Sequence, residues 1–417
     1  MEEWKEYNVS DAPLVALTDL VEFIVDNRGK TVPTAAKGIK LIATNCIKNE
    51  YLYPLYEKVR YVSEDIYNSW FRSHPKPGDI VFVNKGTPGK CALVPDPVDF
   101  CIAQDMMAFR LKSDLVYNTY LLAILRSREI QSFIMNNQVG TIIPHFKKEQ
   151  LKTLMIPLPE MHIQKRIGDL YFNFSEKTEI NRRINENLEQ QAQALFKSWF
   201  VDFEHFKDGE FVESELGMIP KGWSVVELQD VVTIKRGGSP RPIQAYLSSY
   251  GYHWLKISDA TACQSPYIYE IKEFIKESGL SKTVKLDAGS LVLSNSATPG
   301  IPKILGIDSC IHDGWLYFPQ SHLSKYYLYL LFKEKRDFLL SQGNGSVFTN
   351  LKTDIVKAMK IAIPNDQIMV KFNSIIESLF NQIENKTKES RRLAGLRDAL
   401  LPKLMSGDLN INYKIES

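Results

Sequence analysis

The chain is poor in the residues that mark covalent or metal chemistry. Its 417 residues include five cysteines, scattered at positions 46, 91, 101, 263 and 310. They form no C-x-x-C pair, so spacing supports neither a disulfide framework nor a zinc site, and a reducing, cytoplasmic setting is expected. The seven histidines never fall at metal-ligand spacing. No apolar run reaches the roughly eighteen residues of a membrane helix, and the acidic start Met1-Glu2-Glu3-Trp4-Lys5 is unlike a secretory leader. No excess of one charge exists either: 51 Lys and Arg face 49 Asp and Glu, net +2. A nucleic-acid surface must therefore come from local clustering. Catalytic signatures are missing as well. There is no H-E-x-x-H, G-x-S-x-G or G-x-G-x-x-G, and no Asn/Asp-Pro-Pro-aromatic tetrapeptide. Lys85-Gly86-Thr87-Pro88-Gly89-Lys90 is superficially like a phosphate loop, but its glycines are too close and Cys91 stands where Ser or Thr should hold magnesium. No catalytic, cofactor or metal site is expected in this chain.

What the chain has is a long amphipathic helix, twice. Ile163, Ile167, Leu170, Phe174, Ile180, Ile184, Leu188, Leu195 and Trp199 fall at helical steps between His162 and Phe200 without an intervening proline. About 37 residues give a rod of roughly 55 Å, longer than an ordinary globular helix. Ile368, Phe372, Ile375, Leu379, Ile383, Leu393, Leu396, Leu400 and Leu404 repeat the stripe from Asp366 to Met405. Each rod follows a hydrophobic run closed by proline, at Pro159 and Pro364, and each turns polar midway. Asn365 or Asp366 is the expected cap of the second, and Gly407 its expected end. The repeat extends backwards: Gly78 through Gly89 aligns with Gly289 through Gly300 without a gap, and Gly140 through Pro159 aligns with Gly345 through Pro364. Such self-similarity over half a chain is a duplicated domain. Short strands are expected at Phe23–Val25, Ile80–Val83, Val231–Ile234, Trp254–Ile257 and Ser290–Leu293, with a short apolar run at Leu41–Ala43 and helices over Tyr120–Phe133 and Tyr326–Leu339. The fold class is α+β with a pseudo-two-fold internal repeat, the two long helices pairing as an antiparallel coiled coil. The expected divisions are 1–160, 161–212, 213–364 and 365–417: unit, helix with connector, unit, helix with tail.

Two turn-rich loops recur in each unit and carry the side chains that read a duplex. Arg and Lys suit guanine edges and phosphates, Asn suits adenine, and Ser or Thr suits either. In the first unit the candidates are Arg28, Lys30, Asn84, Lys85, Thr87, Lys90, Lys147 and Lys148. In the second they are Arg236, Arg241, Asn295, Ser296, Thr298, Asn350 and Lys352. Solvated turns are the competing reading of the same residues. Near the rod ends, Phe196, Trp199, Phe200, Arg397, Leu401 and Leu404 are partner anchors if exposed and core if buried in the helix pair.

Three further stretches carry a resemblance: Pro220-Lys221-Gly222-Trp223, Ala194-Leu195-Phe196-Lys197-Ser198-Trp199-Phe200-Val201-Asp202-Phe203, and Leu396 through Gly407. With the duplicated layout, they make the chain resemble the specificity subunit of a type I restriction-modification system over nearly its whole length. The first unit departs from that pattern, with Ala12-Pro13-Leu14 in place of a Pro-x-Gly-Trp start. The resemblance implies a non-catalytic reader with two tandem target recognition domains, each reading one half of a split double-stranded DNA target. It implies that the helices set the spacer and dock two methyltransferase subunits. Those partners would bring S-adenosylmethionine, and restriction subunits would add ATP- and Mg2+-dependent cleavage, so the assembly would be an adenine-specific methyltransferase and endonuclease. Alternatives are the reader of another modification-based defence system and a coiled-coil adaptor that binds no DNA.

Overall fold

The computed structural model describes residues 4–7, 9–27, 31–140, 142–341, 351–406 and 411–414. The chain forms two compact units, one from Met1–Asn181 with Glu389–Ser417 and one from Arg182–Lys388. The division cuts both long helices, Met161–Phe200 and Asp366–Ser406, so each rod contributes half its length to each unit. The rods are thus part of the cores of both units.

In the first unit a four-stranded sheet has the order Val21–Val25, Met106–Leu111, Ile80–Val83, Cys91–Leu93. A three-stranded sheet holds Arg60–Val62, Ile39–Ile42 and Phe100–Ile102, the last two parallel. Ile80, Val81, Phe82 and Val83 are all buried because both faces of their strand are covered. Ile80 and Phe82 join the core with the helix Asn118–Leu125, and Val81 and Val83 join the core beneath the three-stranded sheet. That continuous apolar run is the reading of a strand buried on both sides.

The second unit repeats the plan with two five-stranded sheets. One has the order Val232–Arg236, Trp315–Ser321, Leu291–Ser294, Pro302–Leu305, Tyr267–Ile268. The other pairs Tyr252–Leu255 in parallel with Ser309–Ile311, the counterpart of the parallel pair in the first unit. Hydrogen bonds recur at matching positions. Leu17 N donates to Leu154 O and Leu228 N to Met359 O; Gly78 N donates to Val94 O and Gly289 N to Leu305 O.

Several local expectations shift. The helix expected over Tyr120–Phe133 is two helices, Asn118–Leu125 and Arg128–Asn137, because the Ser127 hydroxyl accepts from Ile130 N and starts a new helix. The helix expected over Tyr326–Leu339 likewise divides into Lys325–Glu334 and Arg336–Ser341. The strand expected over Trp254–Ile257 is Tyr252–Leu255, since Ile257 opens a short helix, Ile257–Ala262. Asn365 Oδ1 accepts from Ile368 N at 3.1 Å and caps the second long helix, which runs through Pro402 to Ser406. Gly407 lies outside the described residues.

The rods pack antiparallel in both units. In the first, Asn181 donates to Glu389 at 3.0 Å and the Arg397 guanidinium lies 5.7 Å from the Tyr171 ring centre. In the second, Asn185 donates to Thr387 at 3.1 Å, and Phe372 packs against Phe196, Trp199 and Phe200 with ring centres 4.6–6.2 Å apart. The polar middles of the two stripes therefore meet each other, and hydrogen-bonded amides in a helix seam select one register over apolar slips of it.

Of the two glycines in the rods, Gly168 makes the close approach: an added Cβ would lie 2.5 Å from Thr119 Oγ1 and 2.7 Å from Tyr120 N. Gly395, on the second rod, faces open space. Gly168→Ala should therefore cost about 1–3 kcal/mol, while Gly395→Ala should be neutral or gain up to about 1 kcal/mol. Denaturant midpoints of the two variants check this; equal effects would contradict the packing.

Candidate nucleic-acid interface

In the first unit the strand Ile80–Val83 turns at Asn84–Lys90 and returns as Cys91–Leu93, so the polar loop is a hairpin tip. Gly89 N donates to Val83 O at 2.9 Å, and Gly86 and Gly89 both have positive φ, which the turn requires. The segment before Lys147 rests on this loop: Phe146 N donates to Asn84 O and Gly86 N to Pro144 O, each at 2.8 Å. The fold thereby brings Lys147 and Lys148 beside Lys85 and Thr87, which lie far from them in sequence. Thr87 and Lys147 are exposed. Lys85 faces Asp105 at 3.7 Å, and Lys148 faces Asp26 at 3.4 Å. Lys90 is half-buried. Arg28 and Lys30 lie outside the described residues.

Asn84 corrects an expectation. It is 1% exposed, and its amide nitrogen donates to His145 Nε2 at 3.3 Å. Its counterpart Asn295 is 2% exposed. Both stand at the end of a fully buried strand, where the chain is still inside the sheet. Their backbones hold the loops, Asn84 O accepting from Phe146 N and Asn295 O from Leu351 N, while their side chains are buried.

The second unit builds the same tip. Leu291–Ser294 turns at Asn295–Ile301 and returns as Pro302–Leu305. Gly300 N donates to Ser294 O, and Leu351 N donates to Asn295 O, matching Gly89 and Phe146. Ala297 occupies the place of Gly86 and also has positive φ, at 58°. The Ser294 hydroxyl donates to Thr298 O and accepts from Ile301 N, holding this turn without the glycine. Ser296 and Thr298 are half-buried, and Lys352 is exposed. Asn350 lies outside the described residues.

The basic turn of the second unit is described throughout. The strand Val232–Arg236 leads into Gly237 and Gly238, whose backbones press on the chain at Ile311–Trp315. A Cβ on Gly237 would lie 2.2 Å from His312 O, so only glycine fits. The turn then wraps Asp313. Ser239 Oγ donates to Asp313 Oδ1 at 2.6 Å, Arg241 donates to Oδ2 at 3.3 Å, and Arg236 Nε donates to the Asp313 carbonyl. The Ser239 hydrogen bond is the main reason the Asp313 carboxyl sits below the usual carboxylate range. Next to it, Gly314 O accepts from Asn295 N at 2.9 Å. The His312–Gly314 corner therefore joins the basic turn to the polar loop. His312 lies 3.9 Å from Asp313, but its Nδ1 accepts from Gly314 N at 2.8 Å and so carries no proton. Burial, which lowers the basicity of its ring, agrees with a neutral imidazole. Asp313 escaped the sequence reading because an acidic residue does not score as a DNA ligand; its only signal was its position just before the strand paired with Val232–Arg236.

The candidate partner anchors are mostly core. Phe196, Trp199 and Phe200 are buried against Phe372, with Tyr327 packed on both phenylalanines. Leu404 is buried in the first unit, with Leu401 packed alongside it. Arg397 is covered too, its guanidinium over Tyr171. An amphipathic stripe cannot show in sequence whether its bulky residues face a partner or its own fold, and here they face the fold.

All five cysteines are free thiols. Among the described residues no cluster of three or more His, Cys, Asp or Glu is placed to hold a metal, and no helix is long and apolar enough to cross a membrane.

Residues 13–190 and 220–393 each match the type I restriction modification DNA specificity domain. The chain belongs to that family. It is similar to the type I restriction enzyme MjaIX specificity subunit of Methanocaldococcus jannaschii, 26% identical over 87% of this chain and 84% of that one. It is also similar to the HindI specificity subunit of Haemophilus influenzae, 24% identical over 80% of this chain and 87% of that one. The crystal structure of a type I S subunit from M. genitalium shares the fold, with a TM-score of 0.53 and 16% identity over 97% of this chain and 96% of that one. The chain is thus a type I restriction-modification specificity subunit, built from two specificity domains and two paired helices.

Phe196→Ala should lower stability by about 3–5 kcal/mol through the cavity it leaves beside Phe372 and Tyr327. Equilibrium denaturation checks this. An unchanged midpoint would return Phe196 to the surface.

Proposed function

We propose that each specificity domain reads one half of a split DNA target, and that this chain itself performs no catalysis. The observation that carries the reading is the repeated frame. Two hairpin tips are each braced by the segment that precedes a long helix, and each gathers cations and hydroxyls that are distant in sequence. On this reading Lys85, Thr87, Lys90, Lys147 and Lys148 serve one half-site with Arg28 and Lys30. Arg236, Arg241, Ser296, Thr298 and Lys352 serve the other with Asn350. The lysines suit phosphates, and the arginines suit phosphates or guanine edges. The helix pair would set the spacer, since each rod of 40 or 41 residues is continuous and shared by both cores.

Methyltransferase subunits would dock on this chain and bring S-adenosylmethionine; restriction subunits would bring ATP- and Mg2+-dependent cleavage. With Phe196, Trp199 and Phe200 buried, docking falls to the outward face of the rods, where Leu170 and Ile180 of one unit and Ile184, Val370 and Ile375 of the other stay exposed. A cytoplasmic location fits such an assembly.

Expression with the cognate methyltransferase subunit in cells without DNA methylation should give methylated adenines at one split motif, absent when this chain is omitted. A map of modified bases reads this directly. Lys85→Ala should weaken use of one half and Arg236→Ala use of the other. A stable complex that methylates nothing would favour an adaptor or another defence system.

A further inference from the structure

Asp313 is out of place on a surface built only to attract phosphate. It stands at the centre of the basic turn, and a carboxylate there repels a polyanion. Yet the turn is arranged around it: Ser239 and Arg241 take its two carboxylate oxygens and Arg236 takes its carbonyl. Neutral His312 adds no charge behind it, so Asp313 is balanced by the two arginines.

The benefit is geometric. The Arg241 side chain is 80% exposed and would otherwise sample many rotamers. Asp313 engages one terminal nitrogen and leaves the remaining donors of a rigid planar fork accessible on an exposed side chain. A fork fixed in one plane matches the paired acceptors O6 and N7 of guanine, whereas a freely moving cation reads only charge. Lys85 and Asp105 in the first unit make no equivalent, since an ammonium has no plane to fix.

We propose that Asp313 is a positioning residue for base selection: it holds Arg241 so that the guanidinium reads one guanine in the half-site served by the second domain. This rests on the reading of that domain as a DNA reader.

The test uses the full chain assembled with its cognate methyltransferase subunit and synthetic duplexes in which every specified base of both half-sites is changed in turn. The wild type should require G·C at one position of one half-site. Asp313→Ala should reduce discrimination there by up to roughly five-fold, the most that a surface pair contributes to holding Arg241, and leave all other positions unchanged. Arg241→Lys, which keeps the charge and loses the fork, should reduce it at the same position by roughly five- to 150-fold, the worth of one bidentate contact. Asp313→Ala combined with Arg241→Ala should be no worse than Arg241→Ala alone. Asp313→Leu, nearly isosteric and without an acceptor, gives the same reading if the alanine variant does not fold.

Tighter binding of every duplex by the Asp313 variants with base preference intact would overturn the proposal, leaving Asp313 as a repulsive charge only. Loss of preference at many positions would overturn it too, in favour of a purely structural corner. A wild-type complex with no base preference in either half-site would instead remove the reader role of the domains, and the positioning role with it.

Discussion

The antiparallel pairing of the two long helices is the constraint on which the rest depends. Each rod lends half of itself to each unit, so neither unit has a complete core without both. In the second unit Phe372 of one rod meets Phe196, Trp199 and Phe200 of the other, and Tyr327 of the globular part closes the cluster. Burying such side chains is worth about 1.5–3 kcal/mol each, but apolar packing alone tolerates slippage along a seam. Asn181 with Glu389 and Asn185 with Thr387 oppose slippage, because any shift would strand a buried amide. Register in the rods therefore fixes where the segments Lys147–Pro159 and Lys352–Pro364 enter the units, and those segments begin at the candidate loops.

The loops illustrate a separation between frame and content. The frame is backbone: Phe146 N on Asn84 O in one unit, Leu351 N on Asn295 O in the other, with the same return bond from Gly89 or Gly300. The side chains hung on it differ. Lys85 stands where the second unit has Ser296, and Gly86 where it has Ala297. The bonds common to both frames run from main chain to main chain and so tolerate such exchange, with the Ser294 hydroxyl supporting the second turn in addition. Two domains that present different side chains can then share one architecture, as expected where function sits in the side chains a fold presents.

Much of this was legible in the chain. The rods were, since an apolar period of about 3.6 residues, sustained from Ile163 to Trp199 and again from Ile368 to Leu404, is the pattern of a continuous helix face. So was the duplication, since ungapped identity at Thr87-Pro88-Gly89 and Thr298-Pro299-Gly300 marks equivalent turns. The break at Ser127 was not, because a cap competes with continuing periodicity and only the structure shows which wins. Nor was the burial of Asn84 and Asn295: an amide at a strand end reads alike whether it faces solvent or the sheet interior. Phe196, Trp199 and Phe200 posed the corresponding problem for apolar residues. Asp313 was invisible for a third reason. Its role comes from three partners 72 to 77 residues away, and no local pattern encodes such a meeting.

The near-zero net charge acquires a meaning from these partners. Lys85 faces Asp105, Lys148 faces Asp26 and Arg241 faces Asp313, so three candidate contacts carry a carboxylate of their own. Surface pairs of this kind are worth about 0–1 kcal/mol, little enough that the Lys85 and Lys148 ammoniums can turn to a phosphate, while Arg241 keeps Asp313 on one nitrogen and offers its other donors. They order the cations beforehand without committing them. They also hold down attraction to arbitrary DNA, since each cation offered to phosphate brings an anion with it. For a subunit whose task is to choose sequences, weak attraction to the backbone is an advantage: specificity is the ratio of correct to non-specific binding, and it rises as the non-specific term falls. A strongly basic surface would bind more DNA and choose less well.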